Sequence, residues 1–490
     1  MAFSNKGCIG VIVYLISYFF NFYIVMPNFF KNYFSGYHKL GGIKELLAIA
    51  LPMIVSTACD GAMTFTDRLF LAKVGSEQMN AALGGGVTMQ MLMFFFVGLT
   101  GYSTALVAQY FGAGEKHNSS KAAFQAILIT VLAWPVILIL KPLVVSFYHF
   151  SDISQVQLGY QVQYLNILAW GGLFGLLRYT LGCYFSGIGK TQIVMKATLA
   201  ALVINVILDY LLIFGKFGFP SLGIQGAAIA TVCGALGALI ILVLTYFQKK
   251  NVVEFSVFKS FHFDWDIMKK LIKFGYPAGL ELFLLFCAMT MLVTVFHSKG
   301  EVIATASTIM FNWDLVSFIP LLGIEIAVTS LVGRYMGAGR PQVAHRAALS
   351  GVKSGFFYSI VILFLFLLIP ESLVRVFSPE GLSSGFEETV PIAVAMIRIA
   401  AIYVLAEAIM VAIIGALRGA GDTMFTMIAS VTAHWVLVPI LYLSLHVFNI
   451  SVVLSWFLMV IIFMVFCGVL YLRFQGGRWK QIKVIEVEAK

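Results

Sequence analysis

The sequence predicts an all-α polytopic membrane protein, with twelve transmembrane helices in two similar six-helix lobes. Three observations support this fold class. Of the 490 residues, 60% are hydrophobic and only 11% are charged, against about 25% charged residues in soluble domains. Apolar runs of about 20 residues, long enough to cross a bilayer as a helix, recur along the chain. Several motifs of the first half return in the second half.

Each apolar run is predicted to be a helix, because backbone N–H and C=O groups in lipid must bond within their own segment. The predicted spans are 46–72, 80–111, 121–148, 160–186, 192–214, 223–248, 267–297, 302–335, 343–370, 389–416, 423–446 and 451–473.

Two motifs reveal an internal repeat. Gln109-Tyr-Phe-Gly-Ala-Gly114 returns as Arg334-Tyr-Met-Gly-Ala-Gly339, and Phe185-Ser-Gly-Ile-Gly-Lys-Thr191 returns as Leu417-Arg-Gly-Ala-Gly-Asp-Thr423. Six spans per copy is an even number, so both copies enter the membrane from the same side and are related by an axis along its normal. Such repeats are typical of transporters, whose binding site lies between two lobes.

The repeat divides the chain into five parts. They are an N-terminal extension (1–45), an amino-terminal lobe (46–248), a basic linker (249–266), a carboxy-terminal lobe (267–475) and a tail (476–490). Within the extension, Cys8 to Met26 is apolar and aromatic. This stretch fits a signal peptide, an extra helix or a poorly ordered extension, and we attach no function to it.

The net charge of +10 would suggest a nucleic-acid partner in a soluble protein, but the location of the charge argues otherwise. More than half of the 32 Lys and Arg residues lie in or beside alternate connections and the tail, at 116–121, 190–196, 249–273, 334–346, Arg418 and 473–490. This is the positive-inside pattern. It predicts a multi-pass protein of the cell (inner) membrane with the linker and the C-terminus in the cytoplasm, the lipid bilayer as a partner and no nucleic acid.

The sequence carries no sign of catalysis. The six cysteines are scattered, without CxxC spacing, and indicate neither a disulfide framework nor a metal cluster. Gly187-Ile-Gly-Lys-Thr191 resembles a phosphate-binding loop, but position 184 is Tyr where that loop needs Gly, and no strand precedes it. No nucleophile–base pair or HExxH motif is present. These observations argue against a membrane enzyme or receptor, and we expect no cofactor.

Acidic residues inside spans are the main functional candidates, because each costs about 2.5–3.5 kcal/mol to insert and is kept for a reason. Seven lie within predicted spans: Asp60, Asp67, Asp209, Glu281, Asp314, Glu325 and Glu407. Basic residues inside spans are fewer, chiefly Arg68, Arg178, Lys353 and Arg398. Some of the acids are expected to pair with them, and the others need a proton, an ion or water.

The spacing of these acids suggests which of them act together. Asn205 and Asp209 are four residues apart and share a helix face, where their oxygens suit sodium. Alternatively, the amide hydrogen-bonds a protonated acid, or the group is a polar network that only fixes helix packing. Asp60 lies two turns before Asp67 and is expected to line a cleft near it.

Two further pairs of acids each have alternative roles. Asp314 and Glu325 are eleven residues apart on one face, where they either line the cavity or pair with a neighbouring cation. Glu281 and Glu407 are either transport residues or the partners of Arg398 or Arg178.

Several segments, in this order, resemble the multidrug and toxic compound extrusion (MATE) family over about residues 45–475. They are Phe65-Thr-Asp67, Leu106-Val-Ala-Gln-Tyr-Phe-Gly-Ala-Gly114, Asn205-Val-Ile-Leu-Asp209, Gly226-Ala-Ala-Ile-Ala-Thr231, Gly275-Tyr-Pro-Ala-Gly-Leu-Glu281 and Ala416-Leu-Arg-Gly-Ala-Gly-Asp-Thr423. The resemblance implies export of organic cations and other amphiphiles in exchange for protons or sodium.

The resemblance also implies roles for individual residues. Asp67, Asn205, Asp209 and Thr231 match positions that the family uses for cation binding. The first three would hold sodium if the chain is sodium-coupled. Glu407 matches an acid that some members place in the carboxy-terminal lobe.

One departure concerns the acid that some relatives carry one turn after the position of Glu281. This chain has Leu285 there, which weighs against a sodium site of that type in the carboxy-terminal lobe. We expect a monomeric exporter of drugs or organic cations. The alternative is a flippase of the same superfamily for a lipid-linked precursor, which a cluster of Arg and Lys facing the cavity would favour.

Overall fold

The computed structural model describes residues 36–148, 154–378 and 384–486, so the apolar stretch 8–26 lies outside the described residues. Within these ranges the secondary structure is helical. The α-helices are α1 (Ile43–Ala72), α2 (Ser76–Gly101), α3 (Ser103–Gly112), α4 (Lys116–Phe147), α5 (Gln155–Gly187), α6 (Thr191–Phe214), α7 (Ile224–Tyr246), α8 (Lys249–Phe255), α9 (Trp265–His297), α10 (Glu301–Gly337), α11 (Pro341–Leu368), α12 (Pro370–Arg375), α13 (Ser384–Ala420), α14 (Thr423–Tyr442) and α15 (Val452–Gln475).

Twelve long helical segments correspond to the twelve predicted spans, and the all-α polytopic fold class is confirmed. Helices α2 and α3 form one span that is interrupted at Tyr102. Eleven segments in the described ranges are long and apolar enough to cross a membrane. The remaining segment, α5, has 33 residues, but glutamines such as Gln157, Gln161 and Gln163 make its first turns more polar.

The two halves of the chain are interlocked by their first helices. Leu46 of α1 is fully buried, with Ile49 and Ala50 of the same helix, in a core cluster whose other buried members come from the second half. Leu271 of α9 is fully buried among residues of the first half. The two leucines are 225 residues apart, which is the offset of the first repeated motif. The packing of a first helix into the opposite half therefore occurs twice, once for each copy of the repeat.

The halves also meet backbone to backbone at the end that carries the basic connections. A Cβ atom built on Gly112 would lie 1.8 Å from the carbonyl oxygen of Arg334, and one on Gly337 would lie 1.9 Å from that of Gln109. These two contacts are again related by 225 residues. Only glycine fits at such a close approach. We call this contact the glycine seam.

The C-terminal segment packs across the two halves. Trp479 is fully buried in the core of the second half, where its ring stacks on Phe474 at 5.3 Å between centroids. Val484 and Ile485 are buried in the core of the first half. The described part of the predicted tail is thus a packed strap, while residues 487–490 lie outside the described ranges.

The linker is also packed against the first half. Its helix α8 buries Phe255, and Glu254 forms ion pairs with Lys116 at 3.0 Å and Lys190 at 3.6 Å. The hydrogen bond from Lys116 is the main cause that lowers the pKa of Glu254 below its ordinary value. These contacts hold the linker in one place.

Candidate functional site

Four of the predicted residues meet in the first half. Asp67 of α1 is buried and accepts two hydrogen bonds, from Asn205 Nδ2 at 3.0 Å and from Thr231 Oγ1 at 2.9 Å. Asn205 and Asp209 project from one face of α6 and are fully buried. The carboxyl groups of Asp67 and Asp209 lie close enough to interact electrostatically. We call these four residues the Asp67 cluster.

Close helix packing positions the cluster. A Cβ atom on Gly234 of α7 would lie 2.9 Å from the carbonyl oxygen of Ala201 and 3.3 Å from Cβ of Asn205. The absence of a side chain at Gly234 therefore lets α7 approach α6. Thr231, one turn earlier on α7, reaches Asp67 for this reason.

The Asp67 cluster has unused oxygen atoms. Among the described residues, neither carboxylate oxygen of Asp209 has a hydrogen-bond donor, and Asn205 Oδ1 also lacks one. Two adjacent buried carboxylates repel each other, and a buried charge without a partner is unstable. The cluster can therefore bind a proton between the two acids. Its free carboxylate and amide oxygens are equally the hard ligands that a small cation such as sodium requires.

A fifth residue, Tyr164 of α5, is buried beside the cluster, close enough to Asp67 and Asp209 to interact with them electrostatically. No sequence motif marks this residue. The chain has 20 tyrosines, and nothing in the local pattern distinguishes Tyr164 from those that only pack against neighbouring helices.

A cavity of about 200 Å³ lies between the two halves. Asp60 lines this cavity and pairs with Arg178 of α5 at 3.1 Å. The structure therefore places Asp60 on the cavity side of α1, outside the Asp67 cluster. Helix α1 thus carries both Asp67, which belongs to the cluster, and Asp60, which lines the cavity.

Three charged residues of the second half line or adjoin the cavity. Arg418 contacts Glu281 at 3.1 Å and Glu325 at 2.5 Å, and Glu281 is almost fully buried. Of the alternatives for Glu281, the one that pairs it with Arg398 or Arg178 is wrong, because its partner is Arg418. The charge pattern predicts Arg418 in or beside a cytoplasmic connection. However, α13 continues to Ala420, and helical side chains point back towards the N-terminus, so Arg418 reaches into the bundle.

The remaining two acids form a separate group in the second half. The Tyr403 hydroxyl donates to Asp314 Oδ1, and Glu407 is buried close enough to interact electrostatically with Asp314. Within the described residues, Glu407 forms no ion pair and its Oε2 has no donor. Asp314 and Glu325 therefore belong to different groups, and of these two only Glu325 lines the cavity.

The chain is similar to known bacterial proteins over most of its length. It is 26% identical over 469 residues to a probable multidrug resistance protein NorM of Thermotoga maritima, covering 94% of this chain and 98% of the relative. It is 27% identical over 398 residues to the multidrug resistance protein PmpM of Pseudomonas aeruginosa, covering 80% of this chain and 82% of that protein.

Solved structures share the fold. One is a multidrug resistance MATE family transporter of the MOP superfamily in an outward-facing conformation, with a TM-score of 0.81, 19% identity and coverage of 90% of this chain and 98% of that one. Another is a MOP superfamily transporter from Pyrococcus furiosus, with a TM-score of 0.81, 20% identity and coverage of 90% and 97%. At these identities the likeness establishes the fold alone.

The model of the family described as MatE matches residues 52–211 and 277–443, which is more than half of the chain. The two matched regions fall in the two repeated halves. The resemblance predicted from the motifs is confirmed, and this multi-pass membrane protein belongs to the MatE family.

Proposed function

We propose that this protein is a multidrug efflux transporter that exports small amphiphilic or cationic compounds in exchange for protons or sodium. The observation that carries the proposal is the Asp67 cluster, a buried pair of acids with unused oxygens. The family and the names of the relatives, which are multidrug resistance proteins, support the choice of cargo.

Coupling is proposed to pass through α1. A proton or sodium ion that binds at Asp67 and Asp209 changes the charge around one part of this helix. Asp60 on the same helix lines the cavity between the halves. A shift of α1 therefore alters the cavity and its ion pair with Arg178, which releases the substrate. One charge that crosses 100 mV supplies about 2.3 kcal/mol, so ATP is not needed.

We further propose that the protein acts as a monomer in the inner membrane, with its linker and C-terminus in the cytoplasm. In this orientation the glycine seam lies on the cytoplasmic side. The described state would then be the one that is closed to the cytoplasm. Substrate would enter after the seam opens and leave after it closes.

The alternative cargo, a lipid-linked precursor, has less support. Arg178 and Arg418 face the cavity, but each is neutralised by an acid. A polyanionic headgroup would need unpaired cations there.

The proposal is tested with Asp67→Asn and Asp209→Asn. Each variant should insert and accumulate normally but lose at least tenfold in ethidium efflux from vesicles under an imposed proton or sodium gradient. Asp266→Asn, which changes an exposed acid at the start of α9, serves as the matched control. Normal ion-dependent efflux by both cluster variants would refute the assigned coupling site.

A further inference from the structure

The linker exposes an aromatic surface next to the ends of two spanning helices. Phe258 exposes 66% of its area and Trp265 exposes 62%. Phe247 stacks on Phe258 and on Phe261, with ring centroids 5.8 and 5.9 Å apart. We call this region the linker surface, and it consists of Phe247, Phe258, Phe261, Phe263, Trp265, Lys249, Lys250 and Lys259.

The linker surface is preformed, because the opposite side of the linker is fixed to the first half. Asn251 donates to the carbonyl oxygen of Tyr246 at 3.0 Å. Phe255 and Val257 are fully buried. Lys121 pairs with Asp264 at 3.2 Å. The aromatic rings therefore point outward from a fixed support.

The linker surface is positively charged and can interact with an anion. Of the three acids nearest to it, Glu254 pairs with Lys116 and Lys190 and Asp264 pairs with Lys121, while Asp266 is exposed. Lys249, Lys250 and Lys259 are exposed, and within the described parts of the chain none of the three forms an ion pair. Three exposed lysines against one exposed acid leave an excess of positive charge to offer to an anion.

The position of this surface indicates which partner it binds. It begins directly after the last residue of span α7 and ends at the first residue of span α9, so it lies at the edge of the bilayer. Exposed aromatic rings are favoured at the membrane–water interface. Clustered lysines beside a spanning helix attract anionic headgroups. We propose that the linker surface binds anionic phospholipid, with the rings among the upper acyl chains and the lysines on the phosphate groups.

The test uses the purified full-length protein in a neutral detergent. Binding of phosphatidylglycerol and of phosphatidylcholine is titrated by native mass spectrometry. The wild type should bind phosphatidylglycerol at least tenfold more tightly than phosphatidylcholine. The triple variant Lys249→Gln, Lys250→Gln, Lys259→Gln should lose this preference, because each lysine near an anionic surface contributes roughly fivefold.

The matched control has the same change of charge at the other end of the helices. It replaces Lys73, Lys216 and Lys299 with Gln, and it should keep the wild-type preference. Phe258→Ser should weaken the binding of both lipids, because it removes an apolar contact without a change in charge.

Three results would overturn the proposal. The first is equal lipid preference in the wild type and the linker variant. The second is an equal loss in the control variant, which would make the effect one of net charge. The third is full competition by inorganic phosphate at a concentration equal to that of the lipid, which would identify a site for the free anion.

Discussion

At the scale of single residues, the Asp67 cluster depends on neutral side chains as well as on acids. The hydroxyl of Thr231 lies 2.9 Å from Asp67 Oδ2. A hydrogen bond to a charged group contributes about 1.5 kcal/mol or more. Thr231→Val removes that bond and keeps the shape, so the ion concentration for half-maximal efflux should shift about tenfold.

The control for this prediction is Thr66→Val. Thr66 precedes Asp67, but its hydroxyl bonds to the carbonyl oxygen of Ala62. Efflux measured across a series of proton and sodium gradients should distinguish the two variants. An unchanged ion dependence in Thr231→Val would mean that its hydroxyl has no part in coupling.

Arg418 is the counter-ion of two acids, the buried Glu281 and Glu325, which lines the cavity. Removing one member of a buried ionic group costs about 3–5 kcal/mol, because the others are left without a partner. Arg418→Gln should therefore lower the melting temperature of the purified protein, and the double variant with Glu281→Gln should recover part of the loss. Arg398→Gln, an exposed arginine on the same helix, should have little effect. Equal melting temperatures in all variants would contradict this role.

The sequence could predict the cluster but not the pairing of the cavity acids. Asn205 and Asp209 lie on one helix, where their spacing gives their shared face directly. The partner of Glu281 comes from α13, more than 130 residues later in the chain. Which cation reaches an acid from another helix depends on how the helices pack, and spacing carries no information about this.

At the scale of elements, the predicted spans agree closely with the helices, since glycines and charged residues mark most of their ends. The span predicted at 302–335, for example, is α10 (Glu301–Gly337). Two features were missed. Tyr102 interrupts a span that has no proline or charge to indicate a break. The packing of the C-terminal segment is not evident from its sequence, because Arg478, Lys480 and Lys483 flank its buried apolar residues.

The C-terminal strap should be essential for stability. Trp479 is fully buried, and its indole N–H donates to the carbonyl oxygen of Phe474 at 2.9 Å. Replacing a buried tryptophan with alanine costs about 3–5 kcal/mol. Trp479→Ala should lower the melting temperature and increase hydrogen exchange in residues 478–486. Trp265→Ala removes an exposed ring and should change neither measurement, and similar behaviour of the two variants would refute the packed strap.

At the scale of the whole molecule, the repeat predicted two equivalent halves but not how they interlock. The repeated motifs would be the same whether α1 packs on its own half or on the other half. The burial of Leu46 and Leu271 in the opposite cores is therefore visible only in the structure. It ties the first helix of each half to the neighbouring half. Any rocking of the halves must accommodate these two helices.

The glycine seam provides a direct test of that rocking. Arg334 and Gln109 present backbone atoms to the two seam glycines, and backbone atoms cannot rotate away as side chains do. The methyl group of Gly112→Ala would lie 1.8 Å from a carbonyl oxygen, which forces the halves apart. A Cβ atom this close to a backbone oxygen is not seen in real structures, so one of the two backbones must shift. Gly112→Ala should therefore populate the state with an open seam and reduce efflux.

The opening can be measured by double electron–electron resonance between spin labels at His117 and Gln342. These are equivalent positions on either side of the seam. The distance distribution should move to longer values in Gly112→Ala. Gly468→Ala adds the same methyl group to α15, where nothing lies within 4 Å, and should keep the wild-type distribution. If Gly112→Ala also keeps both that distribution and full efflux, the halves do not close through the seam, and the exchange of access must be attributed to another contact between them.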